Sequence, residues 1–205
     1  MMQRLRIQYA SGFFLEKTGP VAFSHLIRPV APVLVLAGGI GSPHLPGSAE
    51  FVTWASRLWR HVIVLGPCAK PRLSGVHYLD ETMAVDIGKF RFINGNIPTG
   101  CLLDTVAVCT EDAMTAVIVS FEQPPVIAEW IQPAVSVWIT GQRHRALTSP
   151  SLCANQWGRP GYCREIFHDL ITKSGGCTSD PLLRAAGGVP LLEEFACAPP
   201  PQRLA

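Results

Sequence analysis

Val33-Leu-Val-Leu-Ala-Gly-Gly39-Ile-Gly41 is an apolar run that ends in a glycine turn. Consecutive apolar side chains leave no polar face, which marks a strand covered on both sides, as in a sheet with helices packed over it. The pattern returns in His61-Val-Ile-Val-Leu-Gly66-Pro-Cys68 and again in Ser136-Val-Trp-Ile-Thr-Gly141-Gln-Arg-His144. Strand ends of this kind carry the reactive side chains of many α/β enzymes. Here the positions just past the strands hold mostly Gly, Pro, Phe and Gln. The frame therefore implies a scaffold whose chemistry has been removed.

Working outward, residues 4–10 read as a strand, 11–16 as a loop and 21–27 as a short helix. Phe51, Val52, Ala55, Leu58 and Trp59 form a helical stripe over 48–59, with Ser48 as its N-cap. On that helix Trp59 is expected in the core and Trp54 at an interface. Residues 62–65 are the next buried strand, giving a βαβ unit with a right-handed crossover. Short apolar stretches at 76–79, 82–87 and 90–93, with a turn at Gly88-Lys89, predict an antiparallel hairpin region. Residues 112–115 fit neither state clearly. Strands are expected at 116–121 and 135–140, a helical turn at 127–131 and a short helix at 164–172. After Lys173 the chain is rich in Gly, Pro and Cys. The expected division is one domain over 1–173 and a tail over 174–205, ordered only against a partner.

At 205 residues the chain is long enough for one well-buried domain. Charged residues make up 16%, against roughly 25% in an ordinary domain. Together with five Trp, this fits either a surface covered by partner proteins or a large core beneath a Pro/Gly-rich exterior. A net charge of +2 carries no nucleic-acid signature. The seven cysteines include no C-x-x-C pair, which argues against a zinc ribbon or a redox dithiol. An odd count, with no apolar signal segment at the N-terminus, reads as reduced thiols inside the cell, in the cytoplasm or an organellar matrix such as the mitochondrial one. No apolar run approaches the roughly 20 residues of a membrane helix.

Taken in order, the loops resemble those of the calcineurin-like metallophosphoesterases. That family's first motif is of the form Ser-Asp-Leu-His-Leu-Glu, where this chain has Ser11-Gly12-Phe13-Phe14-Leu15-Glu16. Its Ala-Gly-Asp-Ile-Gly is matched by Ala37-Gly38-Gly39-Ile40-Gly41, and its Gly-Asn-His-Glu by Gly66-Pro67-Cys68-Ala69. Ser120-Phe121-Glu122-Gln123-Pro124 stands for the Thr-His-His-x-Pro segment, and Gly141-Gln142-Arg143-His144 for Gly-His-Thr-His. The stretch 155–162 is similar to the Asn-Pro-Arg-Gly-Tyr segment that follows. The resemblance spans roughly residues 4–165 and rests on order, spacing and strand context together. It implies an α/β fold: a sandwich of two mixed β-sheets flanked by helices, reduced in size. Only 70–75 separates the third loop from the next strand, where active relatives carry longer walls.

In active members these loops hold two metal ions that activate a water for attack on phosphorus. Carried over residue by residue, the ligand positions are Gly12, Phe14, Gly39, Pro67, Phe121, Gln142 and His144, and only His144 keeps a ligand of the family type. Gly39 replaces the carboxylate that would bridge the two ions, and Cys68 replaces the catalytic His. The resemblance thus implies a non-catalytic protein without metal, an accessory or structural subunit bound to other proteins. Two alternatives stay open: a divergent phosphoester hydrolase with a single-metal or rebuilt site, and a module that binds phosphate ligands or phosphopeptides. A rebuilt zinc site would use Cys68, Glu122 and His144, against the plainer reading of a core Cys and a surface Glu. Arg143 and Arg145 would hold a phosphate, against the plainer reading of a solvated loop. Gly38-Gly-Ile-Gly41 lacks the G-x-G-x-x-G spacing of a dinucleotide site, and no serine sits in a G-x-S-x-G elbow.

Overall fold

The reason residues Val33–Ala37 carry no polar side chain is their position: all five are buried, in a central strand of a sheet covered on both faces. The computed structural model describes residues 2–18, 22–121, 135–143, 147–148, 152–156, 162–169 and 174–177. Within them the chain forms an α/β sandwich of two mixed six-stranded sheets flanked by helices.

The first sheet is built on β1 (Met2–Ala10), β2 (Val33–Ala37), β3 (His61–Leu65) and β4 (Val76–Tyr78), all parallel. On its other edge, β11 (Tyr162–Asp169) runs antiparallel to β1, and β12 (Ser174–Cys177) runs antiparallel to β11. The second sheet has the order β5 (Ala84–Ile87), β6 (Phe90–Asn94), β7 (Thr115–Ser120), β8 (Val135–Arg143), β10 (Leu152–Gln156) and β9 (Leu147–Thr148). Strands β6, β7, β8 and β10 are parallel, with antiparallel β5 and β9 at the edges.

Strand alternation sorts the buried residues into three layers. Ile7, Val35, Ile63, Phe92, Val119 and Ile139 meet between the sheets. Leu34, Leu36, Val62 and Val64 point the other way, onto Phe51, Val52 and Ala55 of α3 (Pro46–Ala55). Ile93, Ile118 and Trp138 cover the outside of the second sheet under Leu102, Val106 and Cys109 of α5 (Thr99–Glu111). Trp59 is buried as expected, its indole N–H donating to Gln8 Oε1 at 3.0 Å. Trp54 is half-buried and packs against the rings of Phe23, Phe51 and Trp59.

Several expectations are corrected. Residues 164–172 were expected to be helical, yet Tyr162–Asp169 is a strand, because eight residues of it supply the hydrogen-bond ladder that the open side of β1 needs. Pairing overrides local pattern there. Ser174–Cys177 forms the outermost strand of the first sheet, beside β11. Val76–Tyr78 is no part of the hairpin: it pairs parallel with β3, and the chain then crosses to the second sheet through the short helix α4 (Leu79–Thr82). The hairpin proper is β5–β6, turning at Gly88-Lys89 as expected. Leu15–Thr18 begins a short helix, α1, inside the expected loop, and a second, α2, covers Phe23–Leu26. Helix α3 starts at Pro46 after Leu45, so Ser48 is not its N-cap. The Ser48 hydroxyl donates instead to the carbonyl of Ser42 and accepts from the Ala69 amide, tying two loops together. The α5 helix was not anticipated at all. The expected turn at 127–131 lies outside the described residues.

Candidate functional site

The C-terminal ends of β1, β2, β3, β7 and β8 converge, and the first contacts there are made by backbone. The amide of Gly12 donates to the Gly38 carbonyl at 3.0 Å, Phe14 to Gly39 at 2.8 Å and Leu15 to Ile40 at 3.0 Å. The loops after β1 and β2 are thus zipped together for three rungs. The buried Ser11 hydroxyl donates to the Gly141 carbonyl at 2.6 Å, which joins this pair to β8 and so to the other sheet. Gly141 lies so close to β2 that a Cβ there would overlap the Ala37 carbonyl oxygen.

Into this junction projects Phe121. A methyl group at Gly38 would overlap its ring, and one at Gly66 would come 2.5 Å from its Cζ. The ring therefore lies against the bare Cα atoms of two strand-end turns. Both glycines have positive φ, +89° and +115°, which side chains rarely adopt. Gly39 is closed off too: a Cβ there would lie 2.8 Å from Gly12 Cα and 3.0 Å from the Phe14 ring. Phe14 itself has φ 45, a non-glycine residue in the left-handed region, held by its amide bond to Gly39.

Phe121 is positioned from outside the junction. Its amide donates to Asn96 Oδ1 at 3.0 Å, and the Asn96 amide donates to Asn94 Oδ1 at 2.8 Å. The buried Asn94 amide group donates in turn to the Leu79 carbonyl at 3.2 Å, where the chain passes from one sheet to the other. These two asparagines were not singled out from sequence. An Asn-Gly-Asn triplet at the end of a buried strand is the available signal.

Of the positions aligned with metal ligands, Gly12, Phe14, Gly39 and Phe121 are brought together. Pro67 is exposed on the β3 turn, Gln142 and Arg143 end β8, and Glu122, His144 and Arg145 lie outside the described residues. Glycine, proline and phenylalanine side chains offer no donor atom to a metal. The Phe14 and Phe121 rings fill the space beside Gly39, Gly38 and Gly66, so these residues do not fit a pair of metal ions. Among the described residues, no group of three or more His, Cys, Asp or Glu is arranged to hold one.

Cys68 turns away from the junction into the layer beneath α3, beside Tyr78. Burial pushes its thiol up to about 11, the Asp80 carboxylate adds to the rise, and Lys70 offsets part of it. Lys70 is bound to Asp80 at 2.5 Å. A thiol so held is a small apolar core group and not a ready thiolate. Among the described residues, no helix is long and apolar enough to cross a membrane. No protein-family model matches the chain, and no curated protein matches it.

Proposed function

We propose that this chain is a catalytically silent relative of the calcineurin-like metallophosphoesterases that serves as a structural or accessory subunit of a larger protein assembly. The observation that carries the reading is the Phe121 ring seated between Gly38 and Gly66. It sits where the resemblance would set a two-metal centre. An aromatic ring against bare glycine backbone is a packing solution, and packing needs no charged, solvated walls. Two mixed sheets with strand-end loops converging from both agree with the fold that the resemblance implies. The subunit role rests on the low charged share of 16%, which leaves surface suited to cover by other proteins.

The test has two arms. The purified full chain is assayed for hydrolysis of bis(p-nitrophenyl) phosphate with added Mn2+, and no turnover above metal-containing buffer is expected. Turnover abolished by His144→Ala would overturn the loss of catalysis. The tagged chain is also captured from its native source and passed through size exclusion. Stoichiometric co-migration with other proteins is expected; a lone, monodisperse chain overturns the subunit role.

A further inference from the structure

We propose that the His61–His77 stack is an acid-sensitive latch on the first sheet, and that protonation of the pair releases the edge strand β4 from β3. β4 is the outermost strand on its side of the sheet, is 3 residues long and, among the described residues, pairs with β3 alone. His61 opens β3 on the same face as Ile63 and Leu65, which belong to the layer between the sheets. His77 stands opposite Ile63 in the parallel ladder and shares that face. The two rings therefore span the pairing that holds β4: their centroids are 5.7 Å apart and their planes differ by 28°. Nδ1 of His61 and Nε2 of His77 are shielded from solvent and have no hydrogen-bond partner among the described residues.

A neutral imidazole tolerates such a place, whereas a buried imidazolium needs a partner for its charge. The described surroundings supply none. Val33 on β2, Leu5 on β1, and Val85 and Ile87 on β5 are apolar. Asp86 and Arg91 of the β5–β6 hairpin pair with each other, and Lys89 lies at its turn. Asp80 and Glu81 of α4 are engaged by Lys70 and Arg72. The charge that bears on the stack is the Arg60 cation, which has the wrong sign. Burial and then Arg60 hold His61 below the ordinary histidine value of 6.5, and burial and then His61 do the same for His77. Below 6.5 the opened segment therefore takes up protons that the closed one refuses. Closure weakens as pH falls through that range, and the pair is silent well above it. Both side chains are half-buried, so local release of β4 is enough to hydrate them.

The experiment follows hydrogen–deuterium exchange of the full chain by mass spectrometry at about pH 7 and about pH 5, with rates corrected for the intrinsic pH dependence of exchange. The fragment carrying Val76–Tyr78 is expected to open at least about threefold more in acid, while the fragment carrying Val33–Ala37 stays protected. The response disappears in the double variant His61→Phe, His77→Phe and persists in His44→Gln, whose ring is exposed. Equal opening at both pH values overturns the latch, as does a rise shared equally by Val33–Ala37 or retained in the double variant. If that variant does not fold, NMR of the ring signals in the unaltered chain decides. Both rings are expected to titrate below 6.5, and either one titrating at or above it overturns the latch.

Discussion

The two ends of the parallel strands treat polarity in opposite ways. Where β1, β2, β3, β7 and β8 finish, in the place where α/β proteins keep their chemistry, aromatic rings lie on glycine backbone. Where β3 and β4 begin, two stacked imidazoles face the layer between the sheets, each with a shielded nitrogen that has no partner among the described residues. Glycine at these turns answers a packing demand as well as a backbone one, since only a bare Cα accepts a ring at that distance and both turns have positive φ. A polar side chain facing a core carries a desolvation cost that packing alone does not return.

The largest expected effect breaks the glycine end outright. Gly141→Ala drives a methyl group into the Ala37 carbonyl, and both backbones belong to sheets that cannot separate locally. A loss of about 4 kcal/mol or more is expected, at the far end of what single substitutions do. Urea unfolding measures it, and a change below about 1 kcal/mol would mean the sheets are not locked there.

Next comes chemical protection of Cys68. With the thiol near 11, only about one part in a thousand is thiolate at pH 8, and the group is 3% exposed. Exposed Cys101 should react with iodoacetamide promptly, while Cys68 and buried Cys109 react at the rate of opening. Mass spectrometry of peptides after a timed pulse separates them. The sign of the pH dependence follows. Burial raises both thiols to about 11 in the folded chain, above the ordinary thiol value of 9.0. Between those values the unfolded chain has already lost protons that the folded one retains, so stability falls as pH rises through that window. Stability that climbs from pH 9 to 11 contradicts the buried placement.

The third effect concerns the plug. Phe121 is half-buried, so Phe121→Ala should cost about 2–3 kcal/mol, below the usual range for a fully buried ring. Gly66→Ala should be severe in the original background and milder once the ring is gone. The residual cost is the strain of φ +115°. Such a double-mutant cycle reports the contact directly. Additive costs would place the ring elsewhere.

Much of this architecture is legible in the sequence. The central strands announce themselves because Val33–Ala37 and His61–Leu65 need apolar residues on both faces, and the glycine turns follow from them. The convergence of Gly12, Gly39 and Phe121 rested on the order of the loops alone. The Phe121 contact with two glycines was not readable, since residues 38, 66 and 121 meet only through sheet packing. β11 was misread because its state is decided by β1, more than 150 residues earlier. The α5 helix carried a usable signal in Leu102, Val106 and Cys109, one face at helical spacing, but Gly100 and the flanking threonines obscured it. The imidazole pair stayed hidden for the reason β4 was misplaced: read as part of a hairpin, β4 would not have set His77 beside His61.

The smallest effect tests the other end of the comparison. His77→Phe keeps a planar ring and removes a buried nitrogen that has no partner among the described residues. Deleting an unsatisfied polar atom recovers its desolvation cost, so the variant should be as stable as the original or firmer by up to about 1 kcal/mol. The contrast with Phe121 is the point of the experiment. There an apolar ring is removed from a filled space and stability falls; here one is introduced into a polar space and stability holds. A loss above about 1 kcal/mol for His77→Phe would mean that the imidazole is already satisfied by the fold. The two ends of the strands would then differ only in residue type and not in what they ask of their surroundings.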